Sequence, residues 1–121
     1  MLLFSDDHTW LQLGESGDTA TIGITAHAQD TLGDIVFVEL PALGKAFAAK
    51  AVAGVVESVK AAADVHMPAG GEITEVNEAL RADPSLANSD PLGQGWFFKV
   101  KLTQRSDLDG LMDEAAYQKT L

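Results

Sequence analysis

Val55-Val56-Glu57-Ser58-Val59-Lys60-Ala61-Ala62-Ala63-Asp64 sets one lysine among small and apolar residues, with an acid on either side. By local preference this is an exposed helix over residues 57–64. Alanine is the strongest helix former, and Glu57 to Lys60 (i, i+3) and Lys60 to Asp64 (i, i+4) are favourable ion-pair spacings. By side-chain chemistry it is a modification site. Lysine is a primary amine on a flexible stem, and acylation removes its charge and lengthens the stem. An ordinary exposed lysine is protonated at pH 7, with a pKa of about 10.4. Such a site therefore needs an external enzyme carrying an activated acyl donor, and small neighbours leave room for it. Spacing alone does not separate the two readings.

Outward from this segment the chain is written in short strands. Thr19–Thr25 alternates small or polar with apolar residues after Gly17-Asp18. Ile35–Leu40 is β-branched and aromatic and stops at Pro41. Ile73–Val76 is similar, and Trp96–Leu102 ends with Phe98, Val100 and Leu102 on one side and Lys99 and Lys101 on the other. Two helices are predicted. Thr25 caps Ala26–Leu32, with Gly33 as its left-handed stop. A C-terminal helix starts at Ser106 with Asp109 as a capping box, and Leu108, Leu111, Met112 and Ala115 form its apolar stripe, weakened at Gly110. Residues 82–94 read as a loop. Gly33-Asp34-Ile35-Val36-Phe37-Val38 returns 38 positions later as Gly71-Glu72-Ile73-Thr74-Glu75-Val76, which fits a β structure of two quasi-equivalent halves.

Composition narrows the function. With 121 residues the chain has the size of one domain. The absence of cysteine excludes disulfides, cysteine-based metal sites and a thiol nucleophile. Eight basic residues stand against 18 acids, a formal charge of −10 that repels phosphate backbones and anionic membranes. No targeting segment or run of membrane-spanning length is visible, so a cytoplasmic protein, or a mature form already imported elsewhere, is expected. His8, His27 and His66 are scattered, and no nucleophile elbow, P-loop or dinucleotide fingerprint is present, so neither a metal nor catalytic residues are expected.

The lysine segment resembles the attachment site of the glycine cleavage system H protein, whose Glu-Ser-Val-Lys-Ala core stands here unbroken as Glu57–Ala61, with Asp64 at the family's distance. The family's stretches are also matched by Ile22–Thr25, His27–Gln29, Leu32–Asp34 and Val36–Pro41 upstream. Downstream they are matched by Pro68, Gly71–Ile73, Val76-Asn77, Asn88–Pro91, Gly95-Trp96 and Lys99–Lys101. The likeness runs from about Phe4 to the C-terminal helix.

The resemblance overrides the local helix reading. It implies that Lys60 sits at the tip of a tight β-hairpin with arms 52–59 and 61–67. The implied fold is mostly β: a flattened barrel-sandwich hybrid of the lipoyl/biotinyl-carrier type, with two quasi-symmetric halves, a short internal helix and a C-terminal helix. Residues 1–121 would then be a single lipoyl-carrier domain. The implied function is a non-catalytic carrier with lipoate amide-linked to Lys60. Glycine decarboxylase loads an aminomethyl group onto the arm, aminomethyltransferase passes the one-carbon unit to tetrahydrofolate, and dihydrolipoyl dehydrogenase reoxidises the dithiol. Glu57, Ser58, Val59 and Ala61 are expected to shape the hairpin or its recognition by the lipoylating enzyme. One departure stands out: the family's His-Glu-Trp is His8-Thr9-Trp10 here. The family glutamate helps to hold the loaded arm in a cleft; Thr9 offers only a hydroxyl. His8, Thr9 and Asp64 are the expected shielding residues, with Asp6 or Asp7 as substitutes for the missing carboxylate. An H-like lipoyl carrier or relay outside glycine cleavage is the alternative. A biotin carrier is disfavoured because Lys60 lies between Val59 and Ala61 rather than two methionines. A monomer is expected, since a mobile carrier must leave each partner.

Overall fold

The computed structural model describes residues 1–121. Nine strands carry the architecture: β1 Leu2–Phe4, β2 Thr9–Leu13, β3 Thr19–Ile24, β4 Ile35–Glu39, β5 Ala46–Phe47, β6 Val52–Ser58, β7 Ala62–His66, β8 Gly71–Val76 and β9 Phe98–Leu102. All pair antiparallel, in a six-stranded sheet of order β1-β2-β3-β9-β8-β5 and a three-stranded sheet of order β4-β6-β7. They form two sheets rather than one closed barrel, which fits a barrel-sandwich hybrid.

Strand alternation supplies the core. Ala20 pairs with Val100 and Ile22 with Phe98 across β3 and β9, and all four are buried. Leu11, Val38, Val56, Val65, Met67 and Ile73 join them in one cluster of 18 buried residues. Each buried large aliphatic side chain of this kind contributes roughly 1.5–3 kcal/mol over exposure. Glycine is required where backbones or rings close in. A Cβ on Gly23 would lie 2.7 Å from the Trp10 ring, and one on Gly71 would lie 2.7 Å from the Lys101 carbonyl oxygen.

The two halves are legible in the backbone. The Gly33 repeat enters β4 and the Gly71 repeat enters β8. Each strand carries a register shift at the same place, between Ile35 and Phe37 against β6 and between Ile73 and Glu75 against β9.

Several local expectations give way to tertiary structure. Residues 57–64 are a hairpin, not a helix, because pairing on both sides of β6 buries Val56 and Val65, which a solvated helix would leave without a core. The helix expected from Ser106 is broken. Arg105–Gly110 is a 3-10 helix without a side-chain cap, and the chain then extends so that Met112 exchanges backbone hydrogen bonds with Phe4, at 2.7 and 2.8 Å. Only Glu114–Gln118 (α4) is α-helical, with Asp113 accepting from the Ala116 N–H. Gly110 and the bridge to β1 win over the apolar period. The region 82–94 holds a short helix, α3 (Leu86–Ser89), and follows α2 (Glu78–Ala82); these bury Ala87 and Leu80. The helix expected after Thr25 forms as α1 (Ala26–Leu32). The Thr25 hydroxyl accepts from the Ala28 N–H at 3.1 Å, and Gly33 ends the helix at φ 81°.

Candidate functional site

The β6–β7 hairpin ends in a two-residue turn with Val59 and Lys60 at its apex. The Ser58 N–H donates to the Ala61 carbonyl at 2.7 Å. The Ser58 hydroxyl accepts from the Lys60 N–H at 3.3 Å and the Ala61 N–H at 3.0 Å, and it also contacts the Ala61 carbonyl at 3.1 Å. Two-residue hairpins usually need positive φ at the turn. Neither Val59 nor Lys60 has it; the serine side chain closes the loop instead. The tip is also tied to its neighbour strand, where the Val59 N–H donates to the Asp34 carbonyl at 3.0 Å. Glu57 pairs with Ala62 across the hairpin and with Phe37 on the other side.

Lys60 is exposed. Its Cε lies in ordinary contact range of Gly33, 3.6 Å from where a Cβ would stand. The stem thus leans over the C-terminal end of α1, where the helix carbonyls favour a cation. From that end a cleft of about 230 Å³ runs between α1, the start of β2 and the inner side of the hairpin. Its lining includes Asp7, His8, Thr9, Ile24, His27 and Asp64. The volume is below the roughly 300–1,000 Å³ of pockets for free drug-sized ligands.

The cleft brings together residues far apart in sequence. His8, Thr9 and Asp64 all line it. His8 closes the β1–β2 turn in the left-handed region, at φ 63°, a conformation that costs a non-glycine residue energy. Its Nδ1 lies 2.7 Å from the Tyr117 hydroxyl, which also meets the Thr25 hydroxyl at 2.8 Å. The C-terminal helix therefore pins the cleft wall and the cap of α1 through one phenol, which sequence spacing does not reveal. The His27 ring sits 4.8 Å from that of His8. His66 lies apart, its Nδ1 at 3.0 Å from the Lys50 carbonyl oxygen.

Thr9 is 2% exposed, and its hydroxyl is engaged with that of Ser5 at 2.6 Å. Asp6 points away to Lys50, 2.7 Å off, and this cation holds its carboxyl below the usual range. Asp7 and Asp64 are the carboxylates that line the cleft; Asp7 Oδ2 also lies 3.5 Å from the Lys50 ammonium, whereas Asp64 has no cation within reach. Trp10 is a packing residue: it is buried, and its indole N–H donates to the Pro91 carbonyl at 3.0 Å.

Residues 2–121 match the family described as glycine cleavage H-protein. The chain is 58% identical over 120 residues to the glycine cleavage system H protein of Chromobacterium violaceum, covering 99% of this chain and 93% of that one. It is 56% identical over 116 residues to that of Bradyrhizobium diazoefficiens, covering 96% and 93%. A crystal structure of a glycine cleavage system H protein from Mycobacterium marinum superposes with a TM-score of 0.89 at 36% identity, over 99% of this chain and 97% of that one. Likeness of this extent, in sequence along the whole chain and in backbone, makes the chain a member of the glycine cleavage H-protein family.

Proposed function

We propose that Lys60 is the residue through which this chain carries lipoate, and that the adjoining cleft receives the end of the arm. The family's role is the lipoyl carrier of glycine cleavage; this chain is accordingly a non-catalytic component that works with the other enzymes of that system. Lipoate, when attached, supplies the dithiolane that takes up and releases the one-carbon unit and is reduced and reoxidised. The protein's own residues do the rest. The Ser58 turn holds the lysine clear of the two sheets, so that an acylating enzyme reaches Nζ. The Lys60 stem passes within contact range of Gly33 at the end of α1, beside the cleft. Ile24, Ala28, Leu32, Val56 and Ala63 give that cleft an apolar wall, which excludes water. Asp64, together with an Asp7 that is shared with Lys50, places negative charge where an arm ending in a protonated amine would lie.

The partners this reading names are glycine decarboxylase, aminomethyltransferase, dihydrolipoyl dehydrogenase and a lipoylating enzyme, each met in turn by a monomer in the cytoplasm. A tethered group acts at high effective concentration without a permanent complex. The net charge of −10 favours encounter with basic active-site mouths. No helix is long and apolar enough to cross a membrane. The single supporting observation is the lysine-tipped hairpin opening onto the cleft. Reconstitution of the lipoylated chain with the three enzymes tests the reading. Glycine-dependent ammonia release is expected, and its loss in Lys60→Arg; release that persists in Lys60→Arg would refute it.

A further inference from the structure

We infer that the outer face of the three-stranded sheet, centred on Val36 and Phe37 and continued by Val59, is the surface on which the enzyme that acylates Lys60 docks. The inference rests on the reading of Lys60 as the lipoylated residue. Strand alternation would expose only one of two successive side chains. At β4 the bulge between Ile35 and Phe37 turns both Val36 and Phe37 outward, 55% and 50% exposed, while Ile35 and Val38 stay buried. Bulges serve to re-aim side chains.

The other half of the molecule is an internal control. The equivalent bulge in β8 exposes Thr74 and Glu75, and Glu75 faces Lys99 across the sheet. The backbone irregularity therefore does not itself require apolar residues. They stand only in the half that bears the lysine, and the apolar surface continues onto the apex at Val59, 69% exposed. Ile35 pairs with Ser58, Phe37 pairs with Glu57, and the Val59 N–H reaches Asp34, so the patch and the lysine turn are one surface.

Charge and reach specify the occupant. Strands β4, β6 and β7 carry no lysine or arginine, and Glu39 and Glu57 are exposed along them beside the patch. The fitting partner presents an apolar pocket with a basic rim, the usual form of an energetic centre surrounded by polar contacts. Enzymes that act at the far end of an acylated arm need not cover its root. The acylating enzyme must. There Lys60 releases a proton and attacks the carbonyl carbon of an acyl–phosphate anhydride. The N–C bond forms, the C–O bond breaks, the phosphate leaves with the electron pair, and the nitrogen sheds a second proton.

The test is acylation of the full chain by a lipoylating enzyme supplied with lipoate and ATP, followed by intact mass. Phe37→Ser is expected to lower kcat/KM at least tenfold through KM, Phe37→Leu to stay within threefold, and Leu43→Ser, at an exposed apolar residue in the turn after β4, to match the wild type. As a folding-independent measure of docking, Lys60→Arg should inhibit wild-type acylation competitively, and adding Phe37→Ser should weaken that inhibition tenfold with an unchanged circular dichroism spectrum. Wild-type acylation of Phe37→Ser would overturn the inference. So would acylation at the wild-type rate with loss only of glycine decarboxylation, which would assign the face to that enzyme. A wild-type chain that gains no acyl group refutes the Lys60 reading instead.

Discussion

Removing one oxygen, in Tyr117→Phe, tests how the C-terminal helix supports the cleft. The ring would keep its stacking on Phe4, at 4.7 Å between centroids, so little packing is lost. What disappears is a buried hydroxyl shared by His8 Nδ1 at 2.7 Å and Thr25 Oγ1 at 2.8 Å. A hydrogen bond contributes about 0.5–1.5 kcal/mol net, and a stranded buried polar group costs about 1–3 kcal/mol. Thr25 keeps the Ala28 N–H as a partner, which moderates its penalty. The sum is a loss of about 1.5–2.5 kcal/mol. In a chain of this length each kcal/mol lowers Tm by roughly 3–5 °C, so a fall of roughly 5–10 °C is expected. Urea unfolding should show a lower midpoint at unchanged m. A cycle with Thr25→Val should show coupling of at least about 0.5 kcal/mol. A loss below about 0.5 kcal/mol, or strict additivity with Thr25→Val, would refute the idea that this phenol ties the C-terminus to the cleft.

Ser58→Ala removes the side-chain acceptor that closes the lysine turn; the Ala61 amide should exchange with deuterium roughly five- to thirtyfold faster, for a local cost of about 1–2 kcal/mol. Unchanged exchange would show that the backbone holds the turn unaided. Thr9→Glu should lower stability by about 1–2 kcal/mol through loss of the buried Ser5 contact, and slow hydrolysis of the loaded arm; an unchanged hydrolysis rate would exclude position 9 from shielding. Asp7→Asn with Asp64→Asn should speed that hydrolysis, and no change would remove the two carboxylates from the role. Lys50→Ala should return the Asp6 carboxyl towards its ordinary 3.8, read by NMR titration. Because the folded value is depressed, the pair's contribution is present above 3.8 and lost as pH falls through the lowered value. Both groups are exposed, so the loss at pH 7 should be under about 1 kcal/mol.

What could be read from sequence followed physical range. Thr25 and Gly33 bound α1 as their local chemistry dictates, and Phe98, Val100 and Leu102 face inward because strand period two is a local property. The 38-residue repeat was legible because the two halves solve the same backbone problem, down to the matching bulge. The lysine hairpin was not legible from propensity: alanines beside Lys60 favour a helix, and only pairing with β4 and burial of Val56 and Val65 decide for strands. The C-terminal stripe misled for the converse reason. Leu111 and Met112 are apolar because they meet β1 and the core, not because they share a helix face. His8 joining His27 and Tyr117 joining His8 are contacts between distant segments, for which a single sequence carries no signal.

The most direct test is the intact mass of the chain, followed by peptide mapping, after incubation with a lipoylating enzyme, lipoate and ATP. The structure predicts a gain of one lipoyl group, located on Lys60 and abolished in Lys60→Arg. A lipoyl group on any of the other lysines, or an unmodified wild-type chain, would contradict it.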